Sequence, residues 1–214
     1  MRFERKIPKK YRQSVEDAFD TILEHGNETH RRIANEILES DMLVRVEPVA
    51  KINASGVTGV IDPDSTNEKI DEELIGLREA LGEIYISIAE ETIDTGGQRG
   101  CEGTFVHEGR HAWDFARTIE SLSKAEINPL SIFDPTLYEL ELEAHRISGE
   151  YMLRVAREEY LDEGIQLLIL GKSVDGGCFL DEEGICTRLR NNYGLAVDGN
   201  QGRTASELLG LRQK

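Results

Sequence analysis

Residues 107–111 read His-Glu-Gly-Arg-His, a pattern with a definite chemistry. On an α-helix, side chains four residues apart lie one above the other, so His107 and His111 can offer both imidazoles to one cation. Glu108 projects beside that face, where its carboxylate can take a proton from a water held by the cation without being a ligand itself. A divalent metal bound by two neutral imidazoles and one carboxylate keeps a position open for such a water. Zinc lowers the pKa of that water from about 15.7 towards roughly 7. The expectation is metal-assisted hydrolysis with one Zn2+ per chain, His107 and His111 as ligands and Glu108 as the catalytic base. The competing reading is a surface helix with two solvated histidines. With only five histidines in the chain, the spacing arises by chance at roughly the per-cent level.

Two histidines alone hold zinc weakly, so a third side chain is needed. Residues 137–146, Leu-Tyr-Glu-Leu-Glu-Leu-Glu-Ala-His-Arg, offer Glu139, Glu141, Glu143 and His145 on one helical stretch. Glu141 and His145 share a face, as do Leu137, Leu140 and Ala144 around the inward stripe. Ala144, three residues after Glu141, lets the two helices approach closely. Glu141 is therefore the expected third ligand, with Glu139 and Glu143 as alternatives that otherwise read as solvated charges. His145, one turn beyond Glu141, is placed to orient a ligand or polarise substrate, or else is a packed core histidine. Asp114 lies on the ligand face of its own helix, placed either to accept an imidazole N–H or to form a surface salt bridge. Arg110 reads as an outward surface charge. A second electrophile would come from Tyr138, Arg146, Tyr151 or Tyr160, among which the pattern does not choose.

His-Glu-Gly-Arg-His-Ala-Trp-Asp at 107–114, followed by Tyr-Glu-Leu-Glu-Leu-Glu-Ala-His-Arg at 138–146, resembles the gluzincin zinc metallopeptidases. More narrowly it is similar to the metallopeptidase domains of bacterial polymorphic toxins. The resemblance covers roughly residues 84–155. It implies that His107, His111 and Glu141 bind zinc, that Glu108 is the general base, and that the substrate is a peptide or protein. The toxin likeness further implies a cognate inhibitor or immunity protein. The neighbour His145 departs from the pattern, since other gluzincins often carry Asp or an aromatic there.

The elements that must position these residues follow from periodicity. The apolar run Ile84–Ile88 reads as a strand at the cleft edge, able to align an extended peptide by backbone pairing. Thr95–Gly100 reads as a glycine-rich loop leading into the metal helix, which fades near Ser121. Asp134 and Pro135 read as N-cap and first residue of a helix running to about Tyr160. Upstream, helices are expected over Tyr11–Glu24, from Asn27 or Thr29 to Ser40, and from Asn67 to Ala80. Strands are expected at 42–48 and 51–61. A last helix covers Thr204–Leu211, and residues 164–214 carry no evident chemistry. The expected fold is α+β and zincin-like: a small mixed or mostly antiparallel sheet packed on the metal helix, with a largely helical second half. One domain spans 1–214, made of N-terminal helices and strands (1–83), the site (84–160) and a C-terminal elaboration (161–214).

Composition bounds the partners. The chain is 39% hydrophobic and 31% charged with a net charge of −16, which excludes a basic footprint for nucleic acid and disfavours anionic membranes. No apolar run approaches a membrane span, and the basic N-terminus lacks the apolar core of a signal peptide. The expectation is a soluble protein, cytoplasmic or exported by a dedicated secretion system. Three cysteines, Cys101, Cys178 and Cys186, are too few for a disulfide framework; Cys178 and Cys186 could meet across a hairpin, but reduced thiols are expected. Two further functions compete with the peptidase: a non-catalytic scaffold of the same fold, and a hydrolase of a non-peptide amide.

Overall fold

Ile84–Ala89 buries almost every side chain, with Ile84, Ile86 and Ile88 fully enclosed, because the strand is flanked on both edges. A computed structural model describes residues 1–212. Its main sheet comprises Arg2–Phe3 (β1), Leu43–Glu47 (β2), Gly56–Val60 (β3) and Ile84–Ala89 (β4), in the order β1-β2-β4-β3. β1 runs parallel to β2 and β2 to β4, whereas β3 is antiparallel to β4. The fold is α+β with a mixed sheet. The cleft-edge role expected of β4 falls instead to β3, since both edges of β4 are taken and β3 alone has a free one on that side.

Helices Lys9–His25 (α1) and Glu28–Glu39 (α2) form an antiparallel pair broken at Gly26. α1 turns Tyr11, Val15, Ala18, Phe19 and Ile22 inward, a 3.6-residue stripe. α2 starts at a reciprocal cap in which Asn27 Oδ1 accepts from His30 N and His30 Nδ1 accepts from Asn27 N, both at 3.0 Å. With Nδ1 accepting, Nε2 must donate, and it lies 2.8 Å from the Ile147 carbonyl. His30 is thus a structural histidine, and burial pulls its pKa down.

The short helix Val49–Ile52 (α3) replaces the first part of the strand expected over 51–61, and β3 begins only at Gly56. Residues 63–82 form two helices, Pro63–Glu72 (α4) and Leu77–Gly82 (α5), where one was expected. The long helix Glu90–Ser123 (α6) follows β4 without a loop. The glycine-rich stretch is helical except at Gly97, whose φ of 58° and ψ of −144° kink the helix; that conformation favours glycine because it has no Cβ to clash.

Beyond a single 3-10 turn at Pro129–Ser131, Leu137–Val155 (α7) starts two residues later than the Pro135 start expected. Its N-cap is Thr136, not Asp134, because Thr136 and Glu139 close a capping box while Asp134 bonds Ser206. The helix stops at left-handed Ala156, and Glu158–Gln166 (α8) then turns away. Leu170–Lys172 (β5) and Cys178–Leu180 (β6) make a hairpin, followed by Glu182–Arg188 (α9), a π-helical turn at Leu189–Tyr193 and Ala205–Leu209 (α10). All three cysteines are free, and Cys178 and Cys186 sit on β6 and α9 rather than opposite one another on the hairpin. One hydrophobic core runs from Ile7 to Leu211. Among the described residues no helix is long and apolar enough to cross a membrane.

Three helices are tied together by a buried charge that periodicity did not single out. Glu102 on α6 is 1% exposed; its carboxylate accepts from the Tyr151 hydroxyl of α7 at 3.1 Å and from the Tyr160 hydroxyl of α8. Removing either side leaves a buried polar group unpaired. Glu102→Ala should therefore cost about 3 kcal/mol and Tyr160→Phe about 1–2 kcal/mol, read as shifts in the urea midpoint. Equal stability of all three proteins would show that the cluster contributes nothing.

Candidate metal centre

α6 presents His107, Glu108 and His111 on one side, and α7 packs across it so that Glu141 faces the two imidazoles. Ala112 on α6 and Ala144 on α7 are both fully buried. His107 Nε2 and His111 Nε2 lie 3.2 Å apart. Glu141 Oε2 is 3.5 Å from His107 Nε2, and Oε1 is 3.5 Å from His111 Nε2. A tetrahedral zinc with ligands at about 2.0–2.2 Å sets them about 3.3–3.5 Å apart. The triangle therefore has the size that such an ion needs, and the donor set suits it.

Polar satisfaction points the same way. Glu141 Oε2, His111 Nδ1 and both ring nitrogens of His145 are buried without a hydrogen-bond partner, a concentration of orphaned atoms that native interiors avoid. Two Nε2 lone pairs at 3.2 Å also repel unless a proton or a cation lies between them. The titration of the protein without metal reflects this. Burial alone would raise the Glu141 carboxyl, but its contacts with His107 and His111 hold it well below the usual carboxylate range. Burial opposes a charge on His111, yet Glu141, Glu108 and Asp114 together raise its pKa above the ordinary imidazole value.

The alternative third ligands are engaged elsewhere. Glu139 Oε2 accepts from Thr136 N at 2.8 Å as part of the helix cap, and Glu143 pairs with Arg146 at 2.6 Å. Asp114 does not hold an imidazole. It accepts from Arg110 Nε at 2.7 Å, and the Nδ1 of His111 stays unpaired. Arg110, expected to be an outward charge, is instead a half-buried anchor between Asp114 and Glu143. His145 lies beside the centre, its ring centroid 4.9 Å from that of His107 and its Nε2 3.8 Å from Glu141 Oε2. Burial, reinforced by the charge on His107, takes its pKa to about 3, so it is neutral at ordinary pH.

Glu108 leans on β3. Its Oε2 accepts from Thr58 Oγ1 at 2.7 Å, which leaves Oε1 free to exchange a proton. Gly56 is required for this approach. A Cβ there would sit 2.5 Å from Thr104 Cγ2 and 2.8 Å from Glu108 Cγ. Cavities of about 300 and about 400 Å³ flank Glu108 on its two sides. One arm carries His107, His145, Tyr151, Tyr160, Arg188 and Tyr193. The other is walled by β3 and apolar side chains such as Phe115, Leu140 and Leu209.

Of the four candidate electrophiles, Arg146 is paired with Glu143 and Glu182, and Tyr138 approaches Cys186 Sγ at 3.5 Å. Tyr151 and Tyr160 point to Glu102. The phenol nearest the centre is one the sequence did not suggest. Tyr193 sits edge-on to His145 at 6.0 Å, and burial together with the charge of Glu141 raises its pKa to about 12. No local signal could mark Tyr193, which is 52 residues from Glu141 in sequence. The glycines flanking Thr58 are a visible signal for β3, but they point to no partner.

Two outcomes are expected. Zinc binding at the triangle must displace any proton on His111, so zinc affinity should fall as the pH drops through the raised pKa of His111, with proton release on binding; calorimetry in buffers of different ionisation enthalpy reads this, and a flat profile would refute it. Gly56→Ala should leave zinc content intact while reducing hydrolysis about tenfold or more through displacement of Glu108; an unchanged rate would show the contact to be slack.

No family model, no curated protein and no solved structure matches the chain, so the residues and their geometry alone carry the functional reading.

Proposed function

We propose that the protein is a zinc-dependent hydrolase of peptide bonds, with His107, His111 and Glu141 as ligands and Glu108 as general base. The observation that carries the reading is the triangle of Nε2, Nε2 and carboxylate oxygens at 3.2, 3.5 and 3.5 Å with a second carboxylate residue, Glu108, beside it. Zinc bound there would supply an acidified water and polarise a carbonyl. Glu108 takes a proton at Oε1 while Thr58 fixes Oε2, then returns the proton to the leaving nitrogen. Tyr193 keeps its proton at neutral pH and can donate it as a hydrogen bond to developing negative charge. Neutral His145 packs against His107 and keeps its ring in place.

A peptide is favoured over other amides because β3 has one unpaired edge, and all five of its residues, Gly56 to Val60, line the cleft. An extended chain can add to that edge by backbone pairing. The toxin likeness and a cognate inhibitor draw no support from the comparisons and are not part of the proposal.

Protein purified without chelator should contain about one zinc per chain, lost in His107→Ala and Glu141→Ala, by elemental analysis. Glu108→Gln should keep the zinc and lose about 10²–10⁴-fold in cleavage of a peptide library. Absence of zinc after reconstitution would overturn the reading and favour an interaction role. Retention of activity in Glu108→Gln would remove Glu108 as the base.

A further inference from the structure

The polar arm of the cleft holds a charge that hydrolysis itself does not use. Arg188 ends α9 and lines that arm beside His145 and Tyr193. Its Nη1 reaches the Leu167 carbonyl at 3.4 Å, while its Nε is buried and bonds to nothing. No carboxylate among the described residues takes up the donors of this guanidinium, a group that grips a carboxylate with two parallel hydrogen bonds when one is offered. The other arginine of this arm, Arg99, is neutralised by Glu163 at 3.1 Å. Arg188 has no carboxylate within ion-pairing distance among the described residues, in a chain with 41 acids against 25 lysines and arginines. A divalent ion at the centre is balanced by Glu141 and Glu108, so Arg188 remains as one surplus positive charge facing the cleft. It lines the same arm as His107, Glu108, His145 and Tyr193.

We infer that Arg188 binds a carboxylate of the substrate, so that preferred peptides carry an acidic side chain or a free C-terminal carboxylate close to the scissile bond. The inference rests on the hydrolase reading and names the class of peptide it would accept. A carboxylate in this arm would find the guanidinium fork at its side and the apolar arm open to the rest of the chain on the far side of Glu108. The same arrangement disfavours a basic residue there, because Arg188 would repel it.

The test is binding to the full-length, zinc-loaded Glu108→Gln protein, which holds peptides without turning them over. Three N-acetylated pentapeptide mixtures, randomised at apolar positions, serve as probes: one with an internal aspartate and amidated C-terminus, one neutral with a free C-terminus, and one neutral and amidated. One of the two acidic mixtures should bind at least about tenfold more tightly than the neutral amide, and which one it is identifies the source of the carboxylate. Adding Arg188→Gln should erase that preference and leave neutral binding unchanged, whereas Arg188→Lys should keep part of it. Gln retains a donor towards Leu167, and an unchanged thermal midpoint excludes misfolding. Equal binding of all three mixtures, no binding by any, or a preference that survives Arg188→Gln would overturn the inference. Mass spectrometry of the same mixtures with unmutated protein separates the two ideas. Arg188-dependent binding without cleavage sinks the peptidase reading and leaves the carboxylate site; cleavage without acidic preference does the reverse.

Discussion

Two imidazole nitrogens 3.2 Å apart, with a carboxylate oxygen 3.5 Å from each, form a constraint that the rest of the molecule is built to impose. Two lone pairs at that distance repel, whereas the carboxylate draws the imidazoles in once a proton or a cation lies between them; packing fixes all three in place. α6 and α7 pack against each other, β3 closes over Glu108 through Gly56, and Glu102 fastens α6 to α7 and α8. The stability of the surrounding core offsets the local electrostatic cost, a usual bargain at functional sites.

Many polar groups elsewhere in the chain are satisfied within the protein. Helix starts are capped by Asn27, Asp62, Thr136, Asp181 and Thr204, and His30 uses both ring nitrogens. Buried unpaired atoms occur singly at Arg12, Arg45 and Gln98, whereas those of His111, Asp114, Glu141, His145 and Arg188 gather around one centre. The contrast locates the region where something other than protein is meant to complete the bonding. It also separates roles among chemically similar residues: Glu139 and Glu143 look identical to Glu141 in a helical pattern, but a cap and a salt bridge already occupy them.

What could be read in the chain followed from short-range spacing. The histidine pair and the choice of Glu141 come from positions three or four apart on one helix, where geometry is fixed by the helix itself, and Glu108 was picked out as the neighbour of His107. Strand β4 was visible as an apolar run, but its place in the sheet was not, because strand order depends on pairings between residues distant in sequence. The same limit hid Thr58, Gly56, Tyr193 and Arg188, each brought to the site by an element more than forty residues from its partner on α6 or α7. Asp134 and Pro135 illustrate a different failure: both are good helix starters, but Thr136 has the matching Glu139 three residues on, and the reciprocal cap wins. The kink at Gly97 was taken for a loop because two adjacent glycines look alike whether one or both leave the helix.

The segment 201–205 looked chemically silent, but it clamps the start of the third-ligand helix. Leu137 N donates to the Arg203 carbonyl at 2.8 Å, Tyr138 N to that of Gln201 at 2.9 Å, and Ala205 N to that of Pro135 at 2.8 Å. This arrangement imposes an order in time. A chain still being synthesised has released His107, His111 and Glu141 well before Tyr193 and the clamp emerge. Until then α7 has open amides at its first turn and the cleft lacks one wall. The centre is thus assembled late, and the ribosome and its neighbours meet this chain for most of its synthesis with the cleft unfinished.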